Sequence, residues 1–177
     1  MAGDATGAAP CRVLVVPPVT TATVGAVTTA EHDPLARLLA ERACERLVVD
    51  YTHLVDFGEA ARIADLFTDD GVWEGPGLVM SGRAEILAGF GRRQEVTRRV
   101  SRHVCTNVAI DVISGDEAVG RAYLVNFRHD RRAGDDPAAP APAGLPKYVG
   151  EYHDRFVRTA DGWRFAIRRF DVQFLRG

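Results

Sequence analysis

The chain has little cysteine, with Cys11, Cys44 and Cys105 the three in 177 residues. Their number is odd, their spacings are long, and no CxxC pair occurs. That pattern argues against a disulfide framework and a zinc site, and it suits a reducing cytoplasm. Long apolar runs are lacking too, since none approaches the roughly 20 residues that span a bilayer. The stretch Val13-Leu14-Val15-Val16 is too short for an export signal, no basic cluster precedes it, and Pro17-Pro18 ends it. Nor is there an excess of one charge. A formal net charge of -2 and a pI near 6.2 give no global pull toward nucleic acid or anionic membrane.

Several catalytic signatures are also missing. Gly89-Phe90-Gly91 opens a dinucleotide-type glycine motif, but Gln94 stands where the third glycine belongs and no strand precedes it. No P-loop and no GxSxG elbow occurs. The histidines at 32, 53, 103, 129 and 153 have no HxH or HExxH spacing, so no metal or other cofactor is expected. The basic residues Arg92, Arg93, Arg98, Arg99 and Arg102 lack the interleaved aromatics of a nucleic-acid platform and read as a solvated helix end.

What is present is an ordinary globular balance, 46% hydrophobic and 26% charged. Residues 1–32 are dominated by Ala, Gly, Thr, Val and Pro without an aromatic, which predicts a mobile tail before a domain at 33–177. Asp33-Pro34 predicts a helix start. Leu35, Leu38, Leu39, Ala43, Leu47, Tyr51 and Leu54 recur at helical steps and predict a long amphipathic helix to Phe57. Asp56-x-x-Glu59 reads as a capping box for a second helix through about Phe67. Asp69-Asp70-Gly71 reads as a turn, followed by strands near 72–74 and 78–80 and a third helix over about 82–96.

The C-terminal half predicts four strands, at 102–113, 118–129, 147–159 and 163–175, joined as antiparallel hairpins apart from a long loop at 131–146. The fold class is therefore α+β, with helices first and a meander after. On the first of these strands, His103, Cys105, Asn107 and Ala109 would share one face, and Val104, Val108, Ile110 and Val112 the other. With helices on one side, the second face of the sheet is expected to meet another subunit, giving a homodimer.

The residues that could carry chemistry are Tyr51, Asp56 and His103. A carboxylate on one imidazole nitrogen orients the ring and leaves the other nitrogen to move a proton. A tyrosine hydroxyl can polarise a carbonyl as charge develops on its oxygen. Each residue also has an ordinary structural explanation: Asp56 as a helix N-cap, Tyr51 as a core tyrosine, His103 as a strand histidine.

The order Tyr51-x4-Asp56-x-Gly58, Leu66-Phe67-x-Asp69-Asp70-Gly71-Val72-Trp73, Gly82-Arg83-x-x-Ile86, Arg102-His103-x-x-Thr106-Asn107, Tyr152-x-Asp154 and Gly162-Trp163-Arg164 resembles the SnoaL-like branch of the NTF2-like superfamily over about 35–175. The resemblance implies a cone: three N-terminal helices on a curved, mostly antiparallel sheet that encloses an apolar pocket, usually in a dimer. Dehydratases of the scytalone and bile-acid type are nearest in motif, and Tyr51, Asp56 and His103 match their Tyr, Asp and His positions. Asn126 stands where several relatives, cyclases among them, carry an acid, which weakens an aldol-type cyclase role. The expected activity is that of a cofactor-independent lyase or isomerase on a hydrophobic polycyclic or polyketide-like molecule. Trp73, Phe90, Asn107, Asn126, Tyr148 and Phe170 are its expected pocket wall. The competing expectations are a polyketide cyclase, or a non-catalytic ligand-binding or subunit module with the same fold.

Overall fold

A computed structural model describes residues 33–176. The expected tail, with Cys11 and Val13–Val16, lies outside the described residues.

Helix α1 spans Pro34–Asp56, with the Asp33 carboxylate accepting from the Leu35 amide at 2.9 Å and proline in the first turn. Its apolar stripe is buried only in the second half, from Cys44 through Leu47, Val48 and Tyr51 to Val55. Leu35, Leu38 and Leu39 are exposed, and Leu39 borders a groove with Val112, Ile113 and Trp163 of the sheet. Gly58, at φ 85, ends the helix, and the Glu59 amide donates back to the Leu54 carbonyl at 3.0 Å. That closure overturns the expected capping box. Asp56 is the last residue of α1, and the following 3-10 helix, Ala60–Leu66, has Glu59 at its N-cap with no side-chain cap bond.

Six strands follow: β1 Phe67–Gly75, β2 Leu78–Ser81, then helix α2 Arg83–Gln94, β3 Arg99–Val112, β4 Glu117–Asp130, β5 Tyr148–Thr159 and β6 Gly162–Leu175. The sheet order is β2-β1-β6-β5-β4-β3, antiparallel throughout except where β1 runs parallel to β6. Asp69-Asp70-Gly71 lies within β1 and makes no turn there; the irregularity shows instead as a register shift between Phe67 and Val72. The curved, unclosed sheet carries α1 mainly over β3, while α2 packs on the 3-10 helix and β1. Phe156 and Phe67 stack on Phe165 at 5.0 and 5.2 Å and anchor the core beneath.

Register shifts decide which side chains face inward, and those in β3 and in the middle of β6 bear on the site. Asn107 sits at φ 50 in a β-bulge of β3, a backbone state asparagine tolerates. The extra residue flips the alternation, so Cys105, Val108, Ile110 and Val112 pack on the core together, while Val104 is exposed. This corrects the expected grouping of Val104 with Val108. In β6, Ala166 is the extra residue between Phe165 and Ile167, and it turns Arg168 inward.

Candidate active site

Along α1, Tyr51 and Asp56 are five residues apart, about 7.5 Å along the axis and about 140° around it. They therefore serve different parts of the inner sheet face. Register arranges that face in rows: His103–Asn126–Tyr148, then Cys105–Leu124–Gly150–Val172, then Ala122–Tyr152–Phe170, then Asp154–Arg168–Trp73.

At the first row, Asp56 receives the His103 ring Nδ1 at 2.7 Å, the His103 backbone amide at 2.7 Å and the Ser101 hydroxyl at 2.8 Å. A carboxylate at a helix C-terminus loses about 0.3–1 kcal/mol to the macrodipole. Hydrogen bonds to a charged acceptor contribute about 1.5–3 kcal/mol each, so the donors win. Burial alone would raise the Asp56 pKa; the bonds from His103 and Ser101 outweigh it and bring it below the usual carboxylate value. An ionised carboxylate only accepts, so the His103 Nδ1 carries a proton, and in the neutral imidazole Nε2 is the nitrogen left to accept one. Asn126, directly opposite His103, is 2% exposed, and its Nδ2 has no hydrogen-bond partner among the described residues.

Tyr51 is buried among aromatic rings: Phe90 at 5.9 Å, Tyr152 at 5.8 Å and Phe165 at 6.5 Å, all edge-on. Trp73 Nε1 donates to its hydroxyl at 3.0 Å, leaving the phenolic proton to be given elsewhere. Burial holds the phenol above its usual pKa, outweighing the Arg168 cation and the hydrogen bonds from Trp73 and Tyr152, so the hydroxyl keeps its proton. Trp73 also packs on Phe90 at 5.8 Å, and Phe170 bridges Tyr148 at 6.2 Å and Tyr152 at 5.3 Å. All the expected site residues except Asn107 thus face this inner surface. Asn107 is exposed in its bulge.

Arg168 was not expected here. Its guanidinium is fully buried, 3.7 Å from the Tyr152 ring centre, 4.2 Å from that of Tyr51 and 4.7 Å from that of Phe165. Its ion partner is Asp154, at 3.4 Å, yet Nε and both terminal nitrogens make no aligned hydrogen bond among the described residues. Burial outweighs that cation at Asp154 and pushes its carboxyl up to about 6. Strict alternation from Trp163 and Phe165 places Arg168 outward, and only the bulge at Ala166 reverses this. The available signal was the Tyr152-x-Asp154 motif, an inward carboxylate that needs a cation.

Two grooves reach this end of the molecule. One of about 740 Å³ is lined by Asp56, Phe57, Arg93, Gln94 and Arg99. The other, about 430 Å³, runs from Ser101 and Arg128 to residues 141–145 of the long loop. Among the described residues no helix is long and apolar enough to cross a membrane.

Helices packed on one face of a curved, unclosed six-stranded sheet are the α+β arrangement of NTF2-like proteins. Within that class, the chain belongs to the SnoaL-like domain family, which matches residues 36–169. No curated protein matches it. Among solved structures it is similar to an NTF2-like protein with a cystatin-like fold from Novosphingobium aromaticivorans, with 25% identity, TM-score 0.65, and 78% and 85% of the two chains covered. A candidate scytalone dehydratase from the same organism has 23% identity, TM-score 0.66 and coverage of 80% and 89%. The hexachlorocyclohexane dehydrochlorinase LinA-type3 of Novosphingobium barchaimii LL02 has 18% identity, TM-score 0.64 and coverage of 81% and 93%.

Proposed function

We propose that the protein is a cofactor-independent lyase or isomerase of the dehydratase type, acting on a hydrophobic polycyclic or polyketide-like molecule. The observation that carries this is the Asp56–His103 pair, in which the carboxylate accepts from the ring Nδ1, the residue 103 backbone amide and the Ser101 hydroxyl. His103 Nε2 takes a proton from the carbon next to a carbonyl. The electron pair left behind closes a double bond to the β carbon, and hydroxide leaves, taking the same proton back from His103 as water. Only a proton and a hydroxide move, so no redox partner is required. Tyr51 donates to the carbonyl oxygen as it gains charge, and Arg168 offsets that charge electrostatically. The aromatic rings of Trp73, Phe90, Tyr148 and Phe170 supply apolar contact, and Asn126 Nδ2 is a free donor for a substrate oxygen. Two similar structures bear the names of eliminations, but at under 25% identity they speak for the fold alone, so the weight rests on the geometry.

The test is a panel of hydrophobic β-hydroxy carbonyl compounds, followed by the absorbance of the conjugated product. Turnover without added metal or cofactor is expected. Saturable binding of panel members with no turnover would make the chain a binding module instead.

We infer further that two copies meet through the outer sheet face. Val104, Tyr123 and Phe127 are 43%, 51% and 42% exposed there. Beside them, Arg169 pairs with Asp171 at 3.1 Å and Arg155 with Glu117 at 2.6 Å, giving the face both charge signs, as a surface that meets its own copy needs. Light scattering is expected to give twice the chain mass; a monomer mass at micromolar concentration contradicts it.

A further inference from the structure

The basic run from the end of α2 into β3 is not uniformly solvated. Arg92, Arg98 and Arg102 are exposed, whereas Arg93 is half-buried and turns toward the Asp56–His103 pair. Its terminal nitrogen donates to the Ser101 hydroxyl at 3.3 Å, the one side-chain hydrogen bond it makes among the described residues. Ser101, itself buried, donates onward to Asp56 Oδ1 at 2.8 Å, the same oxygen that holds the His103 ring. The result is a continuous chain from α2 through β3 to α1 and back to the imidazole.

Direction is built into that chain. Arginine can only donate, so the serine oxygen accepts from it and the hydroxyl proton points at the carboxylate. Neighbouring cations do not substitute for it. Arg99 and Arg128 are both engaged by Asp130, at 2.6 Å each. Cys105, which also faces Asp56, has its thiol pushed by burial up to about 11 and stays neutral. Burial, with Arg99 and Arg128 adding to it, pulls Arg93 below its ordinary value, and Asp56 and Asp130 pull the other way.

We propose that Arg93 is a positioning residue for the acid–base pair, acting through the Ser101 hydroxyl to keep His103 available as a free base. A carboxylate alone favours the imidazolium form of its partner, which cannot accept a proton. A cation behind the carboxylate weakens that preference without touching the substrate. The proposal rests on the acid–base role assigned to His103.

The test is an NMR titration of the His103 ring in the full 177-residue chain, with the resonance assigned by its loss in His103→Gln. Arg93→Gln is expected to raise the midpoint by about half a pH unit, and Arg93→Lys, which keeps the charge, to stay within about 0.2 unit of wild type. Ser101→Ala is expected to raise it as well, and the double variant to add little to either single one. A midpoint in Arg93→Gln that matches wild type overturns the proposal. So does an unchanged midpoint in Ser101→Ala, the variant to use if Arg93→Gln fails to fold. The two failures are separable: an active His103→Ala with a shifted Arg93→Gln midpoint removes the acid–base role alone. An inactive His103→Ala with no shift removes only the positioning.

Discussion

His103→Ala is expected to lower kcat/KM by about a thousandfold, within the range that positioned general bases contribute, while the fold survives. The two halves of this expectation come from different atoms. Activity depends on the ring Nε2, which the substitution deletes. Stability depends on a core that the substitution does not touch, and after the change the Asp56 carboxylate still holds the Ser101 hydroxyl and the residue 103 backbone amide. One lost hydrogen bond to a charged group costs about 1.5–3 kcal/mol, short of a typical domain's whole stability. Steady-state kinetics and thermal unfolding on the same preparation check both halves. Wild-type turnover in the variant would remove His103 from the chemistry.

Asp154→Ala is expected to destabilise the protein by about 3–5 kcal/mol, because it leaves the buried Arg168 without its counter-charge. Arg168→Met is expected to cost less. An orphaned carboxyl can take up a proton and become neutral, but an orphaned guanidinium cannot lose one. The same pair sets a pH dependence. Asp154 has its folded pKa pushed up to about 6, above the ordinary aspartate value of 3.8. Between these values the folded state binds the proton more tightly than the unfolded chain does. Stability from this group is therefore greatest below about pH 4, falls as pH rises toward about 6, and is flat above that. Denaturant unfolding of wild type and Asp154→Asn across pH 4–7 isolates the effect, since the slope difference between them belongs to this carboxyl. Equal slopes, or an Asp154→Ala cost below about 1 kcal/mol, would contradict the account of the pair.

The parts of this molecule that local sequence could reveal are those governed by period and turn chemistry. The helical spacing from Leu35 to Leu54 and the turns at 114–116 and 160–162 gave α1 and the four-strand meander with ends off by three residues at most. Tyr51, Asp56 and His103 were legible as residue types with chemistry in excess of their structural need. The parallel pairing of β1 with β6 was not, because nothing near Val72 indicates a partner almost a hundred residues away. The bulges at Asn107 and Ala166 were equally silent, and each reversed inside and outside for the residues that follow it, in β6 as far as the next register shift at Gln173. That is why strict alternation puts Asn107 on the inner face although it is exposed, and puts Arg168 outward although it is buried. Asp56 was open to two uses, and the deciding feature was the glycine at 58, whose positive φ ends α1 before a capping box can form.

The central claim is that His103 removes a proton next to a carbonyl. Its most direct test separates that step from loss of the leaving group. A β-deoxy analogue of the first substrate that turns over keeps the acidic hydrogen but has nothing to eliminate. Incubated with the protein in D2O, it reports abstraction alone. Deuterium incorporation at the α carbon by wild type, and none above background with His103→Ala, is the predicted result. Exchange by His103→Ala at the wild-type rate would contradict it.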